Sequence, residues 1–136
     1  MVTYILDASA VLRYLDGEAG SERVSEIIKG HLSDQNHVLI SAIHWGEIAG
    51  VTAKVHGNKA VNLVISRLSS FGFEIVPVTA DRALRSALIK VATKVPYADA
   101  FGVELAATPG EHILVTADFD LNAASQDVKI EFLPRK

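Results

Sequence analysis

The chain predicts a single α/β domain, residues 1–136, built on a parallel sheet of about five strands flanked by helices. Three observations carry that expectation. Short apolar runs alternate with helix-like stretches along the whole sequence, the pattern of successive strand–helix units. The first run, Val2-Thr3-Tyr4-Ile5-Leu6, is nearly continuously apolar, as suits a strand covered on both faces. Acidic residues follow the first and a later run, Asp7 after Leu6 and Asp118 after HILVTA. In open parallel sheets, sites form at the carboxyl ends of strands.

In order, residues 2–6 predict a strand, and Ser9 to Leu15 and Ser21 to Leu32 predict helices separated by Gly17 and Gly20. His37 to Ile40 predicts a second strand, and Ala42 to Val55 a helix closed by Gly57. Asn58 suits the N-cap of a helix running to about Phe71, with Gly72 as its stop. Phe73 to Val78 predicts a third strand and Ala80 to Lys94 a helix. Pro96 suits a first helical position for a segment through Ala107, ended by Pro109-Gly110. Ile113 to Val115 and Lys129 to Leu133 predict two late strands.

An apolar fraction of 49% supports a packed core and argues against disorder. The absence of cysteine removes disulfides, thiol catalysis and cysteine-based zinc sites. No charged-then-apolar leader is visible, and no apolar run approaches the roughly 20 residues that span a bilayer, so a cytoplasmic location without membrane attachment is expected. A net charge of −3 lacks the basicity typical of nucleic-acid binders, although an acidic metal site ringed by Lys and Arg could still attract phosphates.

Four acidic residues stand out. Asp7 and Asp118 follow strands, Glu47 lies mid-helix in SAIHWGEIAG, and Asp99 interrupts the apolar helix PYADAFGVELA. Converging carboxylates repel and raise one another's pKa unless a cation neutralises them. Hard oxygen donors favour Mg²⁺ or Mn²⁺. Each residue also has a local explanation. Asp7 serves equally well as a helix cap, and Ser9 as a helix-start residue or a hydrogen-bond donor to a carboxylate. Glu47 falls on a polar stripe with Ser41, His44 and Lys54, opposite an apolar face of Ala42, Trp45, Ile48, Ala49, Thr52 and Val55. Gly46 and Gly50 offer room for close approach of another element. Asp99 gains from the positive end of its helix, yet a buried carboxylate still needs a partner. Asp118 fits an Asx turn. An EF-hand reading of Asp118-x-Asp120-x-Asn122 fails, because Ala123 and Lys129 stand at the required glycine and glutamate positions.

The sequence contains no P-loop, no GxGxxG, no GxSxG and no HExxH. His31, His37, His44, His56 and His112 are therefore expected to be exposed or structural. His44 lies one turn from Glu47 but is not expected to assist the site. Arg13, Arg23, Lys54, Lys59, Arg82 and Arg85 offer phosphate contacts, with solvated surface the prevailing expectation for each.

Four blocks together, ILDASAVLRYLDGEAGSERV, SAIHWGEIAG, PYADAFGVELA and LVTADFDL, resemble the PIN-domain ribonucleases, especially VapC-type toxins of prokaryotic toxin–antitoxin pairs. The resemblance runs almost from end to end. It implies Asp7, Glu47, Asp99 and Asp118 around Mg²⁺, with Asp120 as an extra acidic member and Ser9 and Thr116 in support. It also implies an RNA substrate, a homodimer and a cognate VapB-like antitoxin. Candidate apolar contacts for such partners are Val11, Tyr14 and Leu15 on the first helix and Trp45, Ile48 and Val55 on the third, with core packing as the competing role. The family usually has Phe after its last acidic position, where this chain has Leu121. Two other readings stand beside this one. In a receiver-like or phosphatase-like domain Asp7 would accept a phosphoryl group, although Ser9 occupies the second aspartate position of haloacid-dehalogenase phosphatases. A non-catalytic PIN-like interaction module would retain the fold, with or without one metal.

Overall fold

The computed structural model describes residues 1–136 and contains one five-stranded, wholly parallel sheet. In chain order the elements are β1 (Thr3–Leu6), α1 (Ala8–Asp16), α2 (Ser21–Leu32), β2 (His37–Ser41), α3 (Ala42–His56) and α4 (Asn58–Ser70). They are followed by β3 (Glu74–Val76), α5 (Ala80–Thr93), α6 (Tyr97–Ala106), β4 (His112–Thr116), a 3-10 turn over Phe119–Ala124, and β5 (Ile130–Phe132). The strand order is β3-β2-β1-β4-β5. The chain thus builds outward from β1 in one direction, then returns to add β4 and β5 on the other side. The reversal lies between β1 and β4, where ligand crevices form in such sheets.

Alternation along the central strands explains the two-sided core. Ile5 and Leu114 face one side and pack with Val103, Ala100 and Leu121. Leu6 and Val115, paired in register, face the other and pack with Ala10, Val11, Val24, Ile27 and Ile48. Leu121 is fully buried in the first of these clusters, so leucine fills this position without loss of packing.

Several boundaries differ from the sequence reading. Pro96 is the N-cap of α6 rather than its first helical residue, and Gly57, not Asn58, caps α4. β3 is confined to Glu74–Val76, because only these residues pair with β2, opposite Leu39 to Ser41. The third helix buries His44, Ile48 and Thr52, whereas Val55 is exposed. The predicted polar stripe therefore mixes a buried histidine with an exposed glutamate. Thr52 is accommodated by donating its hydroxyl to the Ile48 carbonyl at 2.8 Å. Gly46 and Gly50 face open space and admit no neighbouring element. Close approach occurs instead at Gly102 in α6, where a Cβ would stand 3.0 Å from Leu114 Cδ1 and 3.3 Å from His44 Cε1.

Candidate active site: a carboxylate cluster at the strand switch

Asp7 is nearly inaccessible at 3% exposure and caps α1, its Oδ1 accepting from the Ala10 amide at 2.9 Å. The same oxygen accepts from the Ser9 hydroxyl at 2.7 Å, while Oδ2 accepts from the Thr116 hydroxyl. Cap and site roles thus coincide in one side chain. Burial pushes the Asp7 carboxyl above its ordinary range, against the opposing influence of His44 and the three hydrogen bonds. The Ala117 amide donates to Ser9 Oγ at 2.8 Å and the Asp118 amide to Thr116 Oγ1 at 2.9 Å. This network ties the end of β1 to the end of β4.

Asp99 enters from the first turn of α6, and Asp118 from the residues just beyond β4. Burial, above all, raises the Asp99 carboxyl to about 7 from an ordinary 3.8. A hydrogen bond with Asp118, the charge of Asp118, and then the charges of Asp7 and Glu47 push in the same direction. Of the four acidic residues expected from the sequence, Asp118, Asp7 and Glu47 thus all act on the carboxyl of Asp99. Asp118 also forms the expected Asx turn, its Oδ1 accepting from the Asp120 amide at 3.0 Å. Asp120 itself is exposed and is not among the charges acting on Asp99.

Glu47 lies at the cluster's open side, with its side chain 43% exposed and Oε1 3.9 Å from His44 Nε2. His44, set aside in the sequence reading, is 1% exposed and hydrogen-bonds the Ala98 carbonyl through Nε2 at 3.0 Å. It thereby clamps α3, which carries Glu47, onto the residue preceding Asp99. Its i−3 spacing from Glu47 and i+4 and i+8 relation to Ile48 and Thr52 were the available signal.

The donor set consists of carboxylate and hydroxyl oxygens, which fits a hard divalent cation. Asp7 has about four lone-pair positions on its two oxygens, and three accept hydrogen bonds, leaving one for a cation. No three acidic or histidine side chains stand at metal-ligand spacing as placed. The neighbouring Asp118 instead adds to burial in pushing the Asp99 carboxyl upward.

The candidate phosphate contacts are largely occupied. Arg13 is buried and donates to the Ala19 and Pro134 carbonyls at 2.7 and 2.8 Å. Arg23 pairs with Glu131 and Glu26, and its hydrogen bond to Glu131 holds the guanidinium well above its ordinary pKa. Arg82 and Arg85 both pair with the buried Glu104, leaving Lys54 and Lys59 exposed without an ion pair.

Fold, strand-end site and acidic set define a class, and the sequence matches the PIN domain over residues 4–126; the chain belongs to the PIN domain family. Among solved structures it is similar to VapBC2 from Rickettsia felis bound to a promoter DNA fragment, with TM-score 0.73 and 14% identity over 96% of this chain and 98% of that one. It is similar to DNA-bound VapBC from Salmonella typhimurium, with TM-score 0.72 and 17% identity over 97% and 98%. It also resembles Mycobacterium tuberculosis VapC20, a sarcin–ricin-loop-cleaving toxin, with TM-score 0.65 and 19% identity over 96% and 99%. No match is found among the curated proteins.

Proposed function

We propose that this chain is a divalent-metal-dependent endoribonuclease and the toxin of a VapBC-type toxin–antitoxin pair. The observation that carries the reading is Asp99, a carboxyl raised to about 7 in a cluster with Asp118, Asp7 and Glu47, where a cation would replace the proton. In this reading Asp7 and Asp99 hold Mg²⁺ (or Mn²⁺), and Glu47 and Asp118 complete the shell or orient the attacking water. The bound ion supplies Lewis acidity toward a phosphate oxygen and lowers the pKa of water. Ser9, Thr116 and the Ala10 amide fix the Asp7 carboxylate, and His44 fixes α3 against α6. Asp120 lies outside this assignment because, unlike Glu47, it is not among the charges acting on Asp99.

The phosphoryl-acceptor alternative is disfavoured by the same geometry, since both Asp7 oxygens are engaged and the side chain is buried. The RNA assignment draws on the VapC resemblance, because carboxylate chemistry alone does not require a 2′-hydroxyl. The purified chain should cleave RNA with Mg²⁺ or Mn²⁺, leave 5′-phosphate ends, and stop on chelation. Cleavage unaffected by EDTA would reject the reading.

The partner assignment rests on two apolar surfaces. Leu12, Leu15, Val51, Val55, Leu63 and Val64 line a groove among α1, α3 and α4, which suits an amphipathic antitoxin helix. Val11 and Ile48, candidates by sequence, are core residues and leave that set. Leu84, Leu88 and Val91 are exposed on one face of α5 and suit a homodimer contact.

A further inference from the structure

RNA is a polyanion, and a cluster of carboxylates repels it unless cations on the rim hold the backbone. Most arginines of this chain are engaged internally. Arg13 serves carbonyl groups, Arg23, Arg82 and Arg85 serve carboxylates, and Arg67 donates to the Tyr14 hydroxyl at 3.2 Å. Arg135 alone makes neither an ion pair nor a hydrogen bond within the chain. Its Cζ lies 3.9 Å over the centroid of the Phe119 ring. Phe119 in turn stacks on Phe132, with centroids 5.7 Å apart and planes inclined by 19°.

The stack is built into the site's frame. Phe119 follows Asp118 directly. Phe132 pairs in register with Thr116, the residue that donates to Asp7, and the next amide, Leu133, donates to the Thr116 carbonyl at 2.8 Å. Parallel neighbours lie about 4.8 Å apart, so the backbone of Phe132 stands one strand spacing from Thr116 and two from the strand that Asp7 follows. An aromatic face holds a guanidinium by its plane and leaves the N–H edge free, the edge that matches two phosphate oxygens.

We propose that Arg135, held on Phe119, is an RNA-binding residue that grips a backbone phosphate beside the cleavage site. The proposal rests on the nuclease reading for its substrate, and its test is direct binding. A labelled single-stranded RNA oligonucleotide of mixed sequence is titrated with the full chain in EDTA across a range of salt concentrations. Cleavage kinetics with Mn²⁺ are followed in parallel.

Arg135→Ala should weaken binding about tenfold and flatten the salt dependence by about one counterion. In cleavage it should raise KM while leaving kcat within about twofold, as loss of uniform binding does. Phe119→Leu should weaken binding in the same direction by releasing the guanidinium. Lys136→Ala removes an equal charge next door, but this lysine is already paired with Glu18 at 2.6 Å, so binding should stay within about twofold of wild type. Wild-type affinity and salt slope in Arg135→Ala would overturn the assignment. So would an equal loss in Lys136→Ala, or an absence of RNA binding by wild type at any salt concentration. RNA bound with the expected Arg135 dependence but never cleaved would reject the nuclease reading and leave the Arg135 contact standing.

Discussion

At residue scale, Asp99 is the carboxyl on which burial and the charges of Asp118, Asp7 and Glu47 all act. Its carboxyl titrates near 7 when folded against 3.8 ordinarily, chiefly because it is buried and then because Asp118 shares a hydrogen bond with it. The sign follows from linkage. A carboxyl with a raised folded pKa destabilises the fold once ionised, so its contribution is intact below about pH 4 and is lost as pH rises through about 7. In thermal melts of the metal-free protein, Asp99→Asn should remove this loss and raise the melting temperature at pH 8 while changing little at pH 4. If the wild-type and Asn melts run parallel across that window, the perturbation is absent. The same substitution, like Asp7→Asn, should lower cleavage more than about 100-fold, exceeding the usual effect of losing a residue that only supports a ligand. Full turnover by both variants would remove their assigned roles. A proton and a cation compete for Asp99, so Mn²⁺ affinity should fall about tenfold per pH unit below 7 and level off above it. Calorimetric titration at several pH values reads this directly.

At the scale of elements, α3 and α6 meet where His44, Ala98 and Gly102 leave no room. Adding a methyl group at Gly102 puts it against Leu114 and the His44 ring, so Gly102→Ala should destabilise the domain by about 1–3 kcal/mol in denaturant unfolding. An unchanged midpoint would show that the helices yield freely. His44→Gln preserves an N–H donor and should retain Mn²⁺ binding, whereas His44→Leu should weaken it by about 10- to 100-fold. These elements also mark what sequence can carry. Strand and helix order was legible because buried parallel strands are apolar throughout and Gly, Pro and Asp punctuate them at the turns. The acidic candidates were legible because Asp7, Asp99 and Asp118 follow or interrupt apolar runs, although cap, dipole and turn roles explained each of them singly. The inward face of α3 was legible at Ile48 and Thr52 but not at His44, a polar type whose partner, the Ala98 carbonyl, becomes evident only in three dimensions. Arg13 likewise reads as a surface cation until its carbonyl partners, one of them Pro134 at the far end of the chain, are brought to it.

For the whole molecule, the proposed function assigns separate work to three surfaces: the carboxylate crevice, the groove among α1, α3 and α4, and the apolar face of α5. Their separation predicts separable losses. Val55→Glu or Leu63→Glu, both at exposed positions, should abolish capture by the antitoxin yet leave RNA cleavage intact, read by co-purification and by an activity assay on the free chain. Loss of cleavage with capture preserved would reverse the assignment of these faces. The strand order has a temporal meaning as well. The Thr116–Asp7 hydrogen bond joins residues 109 positions apart, and β1 remains an incomplete centre until β4 arrives beside it. At typical synthesis rates roughly 5 to 20 s separate the two residues on the ribosome. During that interval the emerging polypeptide carries Asp7 without its Thr116 partner. In the toxin reading proposed above, that interval passes before the site that would cleave RNA is assembled.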